Sequence, residues 1–121
     1  MNIPRILIAA PSSGSGKTVI SCGLMAAFCR QQKNVVSCKC GPDYIDPMFH
    51  REVLGIDSEN LDLYFCDRER LKERFMHHAE GAELVVTEGV MGYYDGISLD
   101  SDQASTYDVA RTLGLPVILV V

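Results

Sequence analysis

No run of about 18 or more apolar residues, the length a membrane-crossing helix needs, occurs in this chain of 121 residues. Positive charge is scarce as well: 11 Lys and Arg stand against 16 Asp and Glu, a formal net charge of −5. That balance argues against partners held by a broad basic footprint, so neither nucleic acid nor an anionic membrane is expected. The first residues, Met1-Asn2-Ile3-Pro4-Arg5, offer neither the apolar core nor the small-residue cleavage site of a secretory leader. The expected compartment is therefore the cytoplasm. Cysteines lack a framework: Cys22, Cys29, Cys38, Cys40 and Cys66 are odd in number and irregular in spacing. Reduced and mostly buried thiols are expected. Cys22 and Cys29 share a predicted helical face assigned to the core. Cys38-x-Cys40 has no second pair and is a weak metal signal, and His77-His78 read as a solvated helix end. Repeats and low-complexity tracts are not seen, and a single domain is expected within these residues.

What the chain does contain is Ala10-Pro11-Ser12-Ser13-Gly14-Ser15-Gly16-Lys17-Thr18, placed after a short apolar strand (residues 5–10) and opening a predicted helix over residues 19–32. A glycine-rich turn at that place can ring an anion with backbone N–H groups, and the helix adds its positive end. Residues Ser13, Gly14, Ser15, Gly16, Lys17 and Thr18 are the expected phosphate binders. Lys17 would reach the terminal phosphates, and the Thr18 hydroxyl would ligate Mg²⁺. The first Gly of the general pattern falls on Pro11, which has no N–H to donate. A plain Ser/Gly linker has no reason to end in Gly-Lys-Thr at a helix start, so a nucleoside triphosphate is the expected ligand.

Strand and helix then alternate as a parallel α/β sheet requires. Residues 34–40 read as a second strand, followed by a Gly/Pro/Asp-rich loop and a short helix over 48–54. Residues 67–79 form a helix with Asp67 as N-cap and Leu71, Phe75 and His78 on one face. Residues 83–87 are a buried strand ending at Glu88. Residues 105–113 form a helix with a capping box (Ser105-x-x-Asp108) and Gly114 as its stop. Residues 115–121 are a last apolar strand with no covering helix after it, whereas parallel sheets are covered on both faces. The expectation is a truncated piece of a larger α/β protein.

Ligands of open α/β sheets bind outside the carboxyl ends of the strands. Three loops leave such ends here. One is the glycine-rich turn; the second carries Asp43 and Asp46; the third is Glu88-Gly89-Val90-Met91-Gly92-Tyr93-Tyr94-Asp95-Gly96. Carboxylates gathered around a polyphosphate need a cation between them, and Mg²⁺ with one or two carboxylates, phosphates and water suits that need. Glu88, at the end of a buried strand, stands where P-loop proteins hold Mg²⁺ or its water shell. Asp43, Asp46 and Asp95 fit a cation site or plain turns equally. Tyr44, Tyr93 and Tyr94 fit a flat ligand or ordinary packing.

Together these residues resemble the amino-terminal ATP-binding domain of the cobyrinic acid a,c-diamide synthases. The runs that carry the resemblance are residues 11–18, Gly41-Pro42-Asp43-Tyr44-Ile45-Asp46-Pro47 and the loop from Glu88 to Gly96, and it covers essentially the whole chain. That family is similar to dethiobiotin synthetase and, more distantly, to ATPases that position plasmids and septa. The resemblance implies a P-loop NTPase fold of the α/β class, a mostly parallel sheet with helices on both faces, here truncated. Residues 1–121 would be the amino-terminal part of the ATP-binding amidoligase domain. The implied reaction is ATP- and glutamine-dependent amidation of the a and c carboxylates of cobyrinic acid through acyl phosphates, in cobalamin biosynthesis.

On the same ground, ATP and Mg²⁺ are the cofactors, with Thr18, Asp43 and Glu88 as metal ligands. Lys17, Glu88, Asp46 and Asp95 would be catalytic, and Asp43, Tyr44, Asp46 and Tyr94 would meet the substrate. The family's glutaminase domain, which supplies ammonia, has no counterpart here, since no cysteine lies in a recognisable nucleophile turn. The fragment alone is thus expected to be inactive. A homodimer is left open. Rival readings are amidation of hydrogenobyrinic acid or of a nickel-sirohydrochlorin, and a ParA/MinD-like positioning ATPase. Against the last, Ser12 stands where such ATPases carry an extra lysine.

Overall fold

Short aliphatic stretches become the inner strands here, because helices cover both of their faces, whereas the last strand, Val117–Leu119, is exposed along its length. The computed structural model describes residues 3–11, 16–40, 55–61, 67–90, 93 and 105–121. In it, strands β1 (Arg5–Ala9), β2 (Val35–Cys40), β3 (Ser58–Leu61), β4 (Leu84–Glu88) and β5 (Val117–Leu119) form one sheet. The order is β3-β2-β4-β1-β5, and every described pairing is parallel. Helices α1 (Lys17–Arg30), α2 (Arg68–Ala79) and α3 (Thr106–Leu113) complete the layers.

Successive strand side chains point to opposite faces, and the two cores follow from that alternation. Ile8, Val35 and Val86 meet Met25 of α1 on one face. Leu7, Ala9, Val36, Cys38, Cys40 and Val85 meet Leu71, Phe75 and Ala79 of α2 and Val109, Ala110 and Leu113 of α3 on the other. Helices therefore lie on both faces, and β1 and β4 are buried between them, as their apolar runs require. Among the described residues, no helix is long and apolar enough to cross a membrane.

Helix ends match the sequence signals. Asp67 accepts from the Arg70 N–H at 2.8 Å, and Ser105 accepts from the Asp108 N–H at 3.1 Å. Gly114 stops α3 with φ +65°, a backbone setting that glycine adopts without penalty. The Asp108 carboxylate, expected in a capping box, is engaged instead by Arg68 at 2.7 and 2.9 Å and by Arg111 at 3.1 Å. It thereby ties α2 to α3.

Other expectations need correction. Strand β3 is absent from the sequence reading; Ser-Glu-Asn-Leu has little β propensity and is held by pairing with β2. Helix α1 begins at Lys17, two residues earlier than expected. Cys22 is half-buried and Cys29 exposed, because the line facing the sheet is Lys17, Ser21 and Met25. His78 is not solvated: its side chain is 7% exposed and its Nε2 lies 2.8 Å from the Ser37 carbonyl oxygen. The helix expected over 48–54, and Cys66, lie outside the described residues.

Candidate functional site

Parallel strands send their carboxyl ends to one edge of the sheet, and the order here puts β1, β4 and β2 side by side at that edge. Ile8 is registered with Glu88, and Lys39 with Glu88. The turn after β1, the loop after β4 and the loop after β2 therefore rise from adjacent positions. That much of the expected convergence is present.

Gly16 enters α1 in the left-handed region, at φ +92° and ψ +17°. An L side chain would strain this backbone, so the glycine of Gly-Lys-Thr is a conformational necessity. α2 and α3 cap their first turns with Asp67 and Ser105, and each places an acidic residue there. α1 has neither a side-chain cap nor an acidic residue in its first turn. Its positive end and N–H groups are thus disposed toward an anion. Lys17 is 8% exposed, and Thr18 and Pro11 are exposed.

Glu88 is 1% exposed at the end of β4. A buried carboxylate needs charge and hydrogen bonds around it, and both are supplied by residues the sequence reading passed over. Ser21, one turn into α1, donates its hydroxyl to Glu88 Oε1 and lies 2.6 Å from the Lys17 carbonyl oxygen. Lys39 of β2, 4% exposed, ion-pairs with Glu88 Oε2 and also donates to the Gly89 carbonyl oxygen at 3.1 Å. Glu88 is thus anchored to α1 on one side and to β2 on the other. A charged residue inside an otherwise uncharged strand, as Lys39 is in Val-Val-Ser-Cys-Lys-Cys, was the available signal.

The loop after β4 is fixed from the opposite side. The Thr106 hydroxyl accepts from the Val90 N–H at 3.0 Å and donates to the Val90 carbonyl oxygen at 3.1 Å. A Cβ at Gly89 would lie 2.8 Å from Thr106 Cγ2 and 3.1 Å from the Ile8 carbonyl oxygen. Further on, the Tyr93 N–H bonds the Ala10 carbonyl oxygen at 2.8 Å, and its ring meets Tyr107 edge-on at 5.7 Å. Tyr93 is accordingly a packing residue.

Cys38 and Cys40 line the α2/α3 core and hold no metal position. Burial, the largest cause, raises both thiols; Cys40 is pushed up to about 12 despite Lys39 beside it, and Cys38 higher. Among the described residues no three His, Cys, Asp or Glu side chains converge on a metal position. Thr18 and Glu88 still offer hard oxygen donors, and Mg²⁺ characteristically takes one or two protein oxygens and completes its shell with phosphates and water. The donor set fits that ion. Ser13, Gly14, Ser15, Asp43, Tyr44, Asp46, Tyr94 and Asp95 lie outside the described residues.

Comparison with known proteins agrees with this arrangement. The chain is 50% identical over 119 residues to hydrogenobyrinate a,c-diamide synthase from Streptomyces coelicolor, with 98% of the chain and 24% of that protein covered. It is 50% identical over 121 residues to cobyrinate a,c-diamide synthase from Picrophilus torridus, covering all of the chain and 27% of that protein. The cobyrinate a,c-diamide synthase of Methanocaldococcus jannaschii is 46% identical over 121 residues, with the same coverage. The chain thus spans about a quarter of the length of the curated relatives it matches. Residues 6–116 match the family model described as the CobQ/CobB/MinD/ParA nucleotide binding domain, and the chain belongs to that family.

Proposed function

We propose that the protein containing this chain is an ATP- and glutamine-dependent amidoligase acting on the a and c carboxylates of a corrinoid, cobyrinic acid or its cobalt-free counterpart, in cobalamin biosynthesis. The observation that carries this reading is the juxtaposition of the uncapped α1 N-terminus, entered through left-handed Gly16, with the buried Glu88 carboxylate across β1. The a,c-diamide synthase names of relatives half identical to the chain support the substrate class.

A carboxylate resists ammonia because oxide cannot leave. In the proposed reaction a carboxylate oxygen of the substrate attacks the γ-phosphorus of ATP, ADP departs, and an acyl phosphate forms. Ammonia then attacks the carbonyl carbon, phosphate leaves with the former carboxylate oxygen, and loss of a proton gives the amide. The first step needs no general base, since the carboxylate is already ionised at neutral pH. What it needs is alignment and charge neutralisation. The backbone N–H groups of residues 13–18 and the Lys17 ammonium hold the phosphates. Mg²⁺, held by Thr18 and Glu88, would draw charge from the transferring group. Asp43, Asp46, Tyr44 and Tyr94 are assigned to the substrate arm, and Asp95 to the loop over the intermediate.

Residues 1–121 are the amino-terminal part of the ATP-binding domain in this reading, and a glutaminase domain supplies the ammonia. The test is amidation by the full-length protein with ATP, Mg²⁺ and glutamine, offered cobyrinic acid, hydrogenobyrinic acid and nickel-sirohydrochlorin separately. Two exchanges of hydroxyl for amino in one of these, dependent on Lys17, are expected by mass spectrometry. ATP hydrolysis with no amidated product from any of them would overturn the reading in favour of a positioning ATPase.

A further inference from the structure

The proposed reaction makes no use of Lys39, yet a buried ammonium placed against the Glu88 carboxylate decides what else that carboxylate can hold. Lys39 and Glu88 face each other across the β2–β4 ladder, 4% and 1% exposed. Their pair is almost wholly removed from water, where charges interact far more strongly than at the surface. A divalent cation approaching Glu88 by itself would meet the Lys39 ammonium already on the same group. The cation's binding energy at the carboxylate would be offset by its repulsion from the ammonium. Nucleotide phosphates reverse that balance, because they bring the negative charge that both cations need. The Lys39 stem is flexible, and its second anchor is the carbonyl oxygen of Gly89, the residue that follows Glu88.

We propose that Lys39 is a positioning residue that closes Glu88 to a bare divalent cation, so that the cation enters this site only together with nucleotide phosphates. The inference rests on reading residues 11–18 as the nucleotide loop. Ser21 keeps the other carboxylate oxygen fixed to α1, so the carboxylate stays in place while its charge partner changes.

The test counts free Mn²⁺ by electron paramagnetic resonance with the full-length protein, with and without a non-hydrolysable ATP analogue. Wild type and Lys39→Arg should take up Mn²⁺ only with the analogue. Lys39→Met should bind Mn²⁺ alone more tightly by at least about tenfold, and Lys39→Met/Glu88→Gln should lose that binding. Lys39→Gln, which keeps a polar donor without the charge, serves if the methionine variant fails to fold. Equal nucleotide-free affinity in wild type and the uncharged variants would overturn the inference while leaving the nucleotide site standing. Mn²⁺ binding that survives in Lys39→Met/Glu88→Gln would also overturn it, by placing the ion elsewhere. No uptake by any of the proteins with the analogue present would overturn the nucleotide site and the inference together.

Discussion

A methyl group added at position 89 and one added at position 16 test two different demands on glycine. At Gly89 the backbone is unexceptional but the space is filled: the new carbon would press on Thr106 Cγ2 at 2.8 Å and on the Ile8 carbonyl oxygen at 3.1 Å. At Gly16 no atom of the described residues lies within 4 Å, but φ is +92°. Gly89→Ala should therefore cost about 1–3 kcal/mol through overpacking, and Thr106→Ser, by removing the offending methyl, should restore part of it. Gly16→Ala should cost about 1–3 kcal/mol through backbone strain, with no rescue from any neighbour. Urea denaturation of the wild type, the two single variants and each combined with Thr106→Ser checks both; rescue of Gly16→Ala by Thr106→Ser would contradict the distinction.

The same scale shows what a sequence conceals. Lys17, Thr18 and Gly16 are legible because their chemistry is packed into one short run. Ser21 and Lys39 reach Glu88 from 67 and 49 residues away along the chain. Only the strand order makes them neighbours.

Among the elements, α3 acts as a clamp on the loop that leaves β4. Its first turn supplies Thr106 to both backbone groups of Val90, and its Asp108 is gripped by Arg68 from the start of α2. Thr106→Val keeps the shape but withdraws both hydrogen bonds, leaving two backbone groups to be satisfied elsewhere at about 1–3 kcal/mol. Protection against hydrogen exchange is expected to fall there: the Val90 amide should exchange faster in Thr106→Val and at the wild-type rate in Thr106→Ser. Unchanged protection in the valine variant would remove the clamp role. Helices α2 and α3 were legible because Asp67, Ser105 and Gly114 mark their ends by local chemistry. Strand β3 was not, because its polar residues become a strand only where β2 offers a ladder.

For the molecule as a whole, two thiols sealed in one core make stability depend on pH at the alkaline end. A thiol whose folded pKa is raised holds its proton longer in the folded state than in the unfolded one. Below the ordinary value of 9.0 both states are protonated, and the full contribution is present. Above it the unfolded chain ionises first, so stability falls as pH rises from 9.0 through about 12. Each such thiol contributes a slope of up to about 1.4 kcal/mol per pH unit. Denaturation midpoints measured from pH 8 upward should drop less steeply in Cys38→Ala/Cys40→Ala than in wild type. Parallel curves would show that these thiols ionise alike in both states.

The strand order has a consequence in time. β1 is made early, yet its ladders run to β4, where Arg5 meets Val85, and to β5, where Leu7 meets Val117. As the chain emerges from the ribosome, this inner strand, flanked by β4 and β5, waits for most of the sequence before either partner exists. Such long-range pairing is slow and leaves apolar backbone open to stray association. The strand that leads into the glycine-rich run is therefore paired only once β4 has been made.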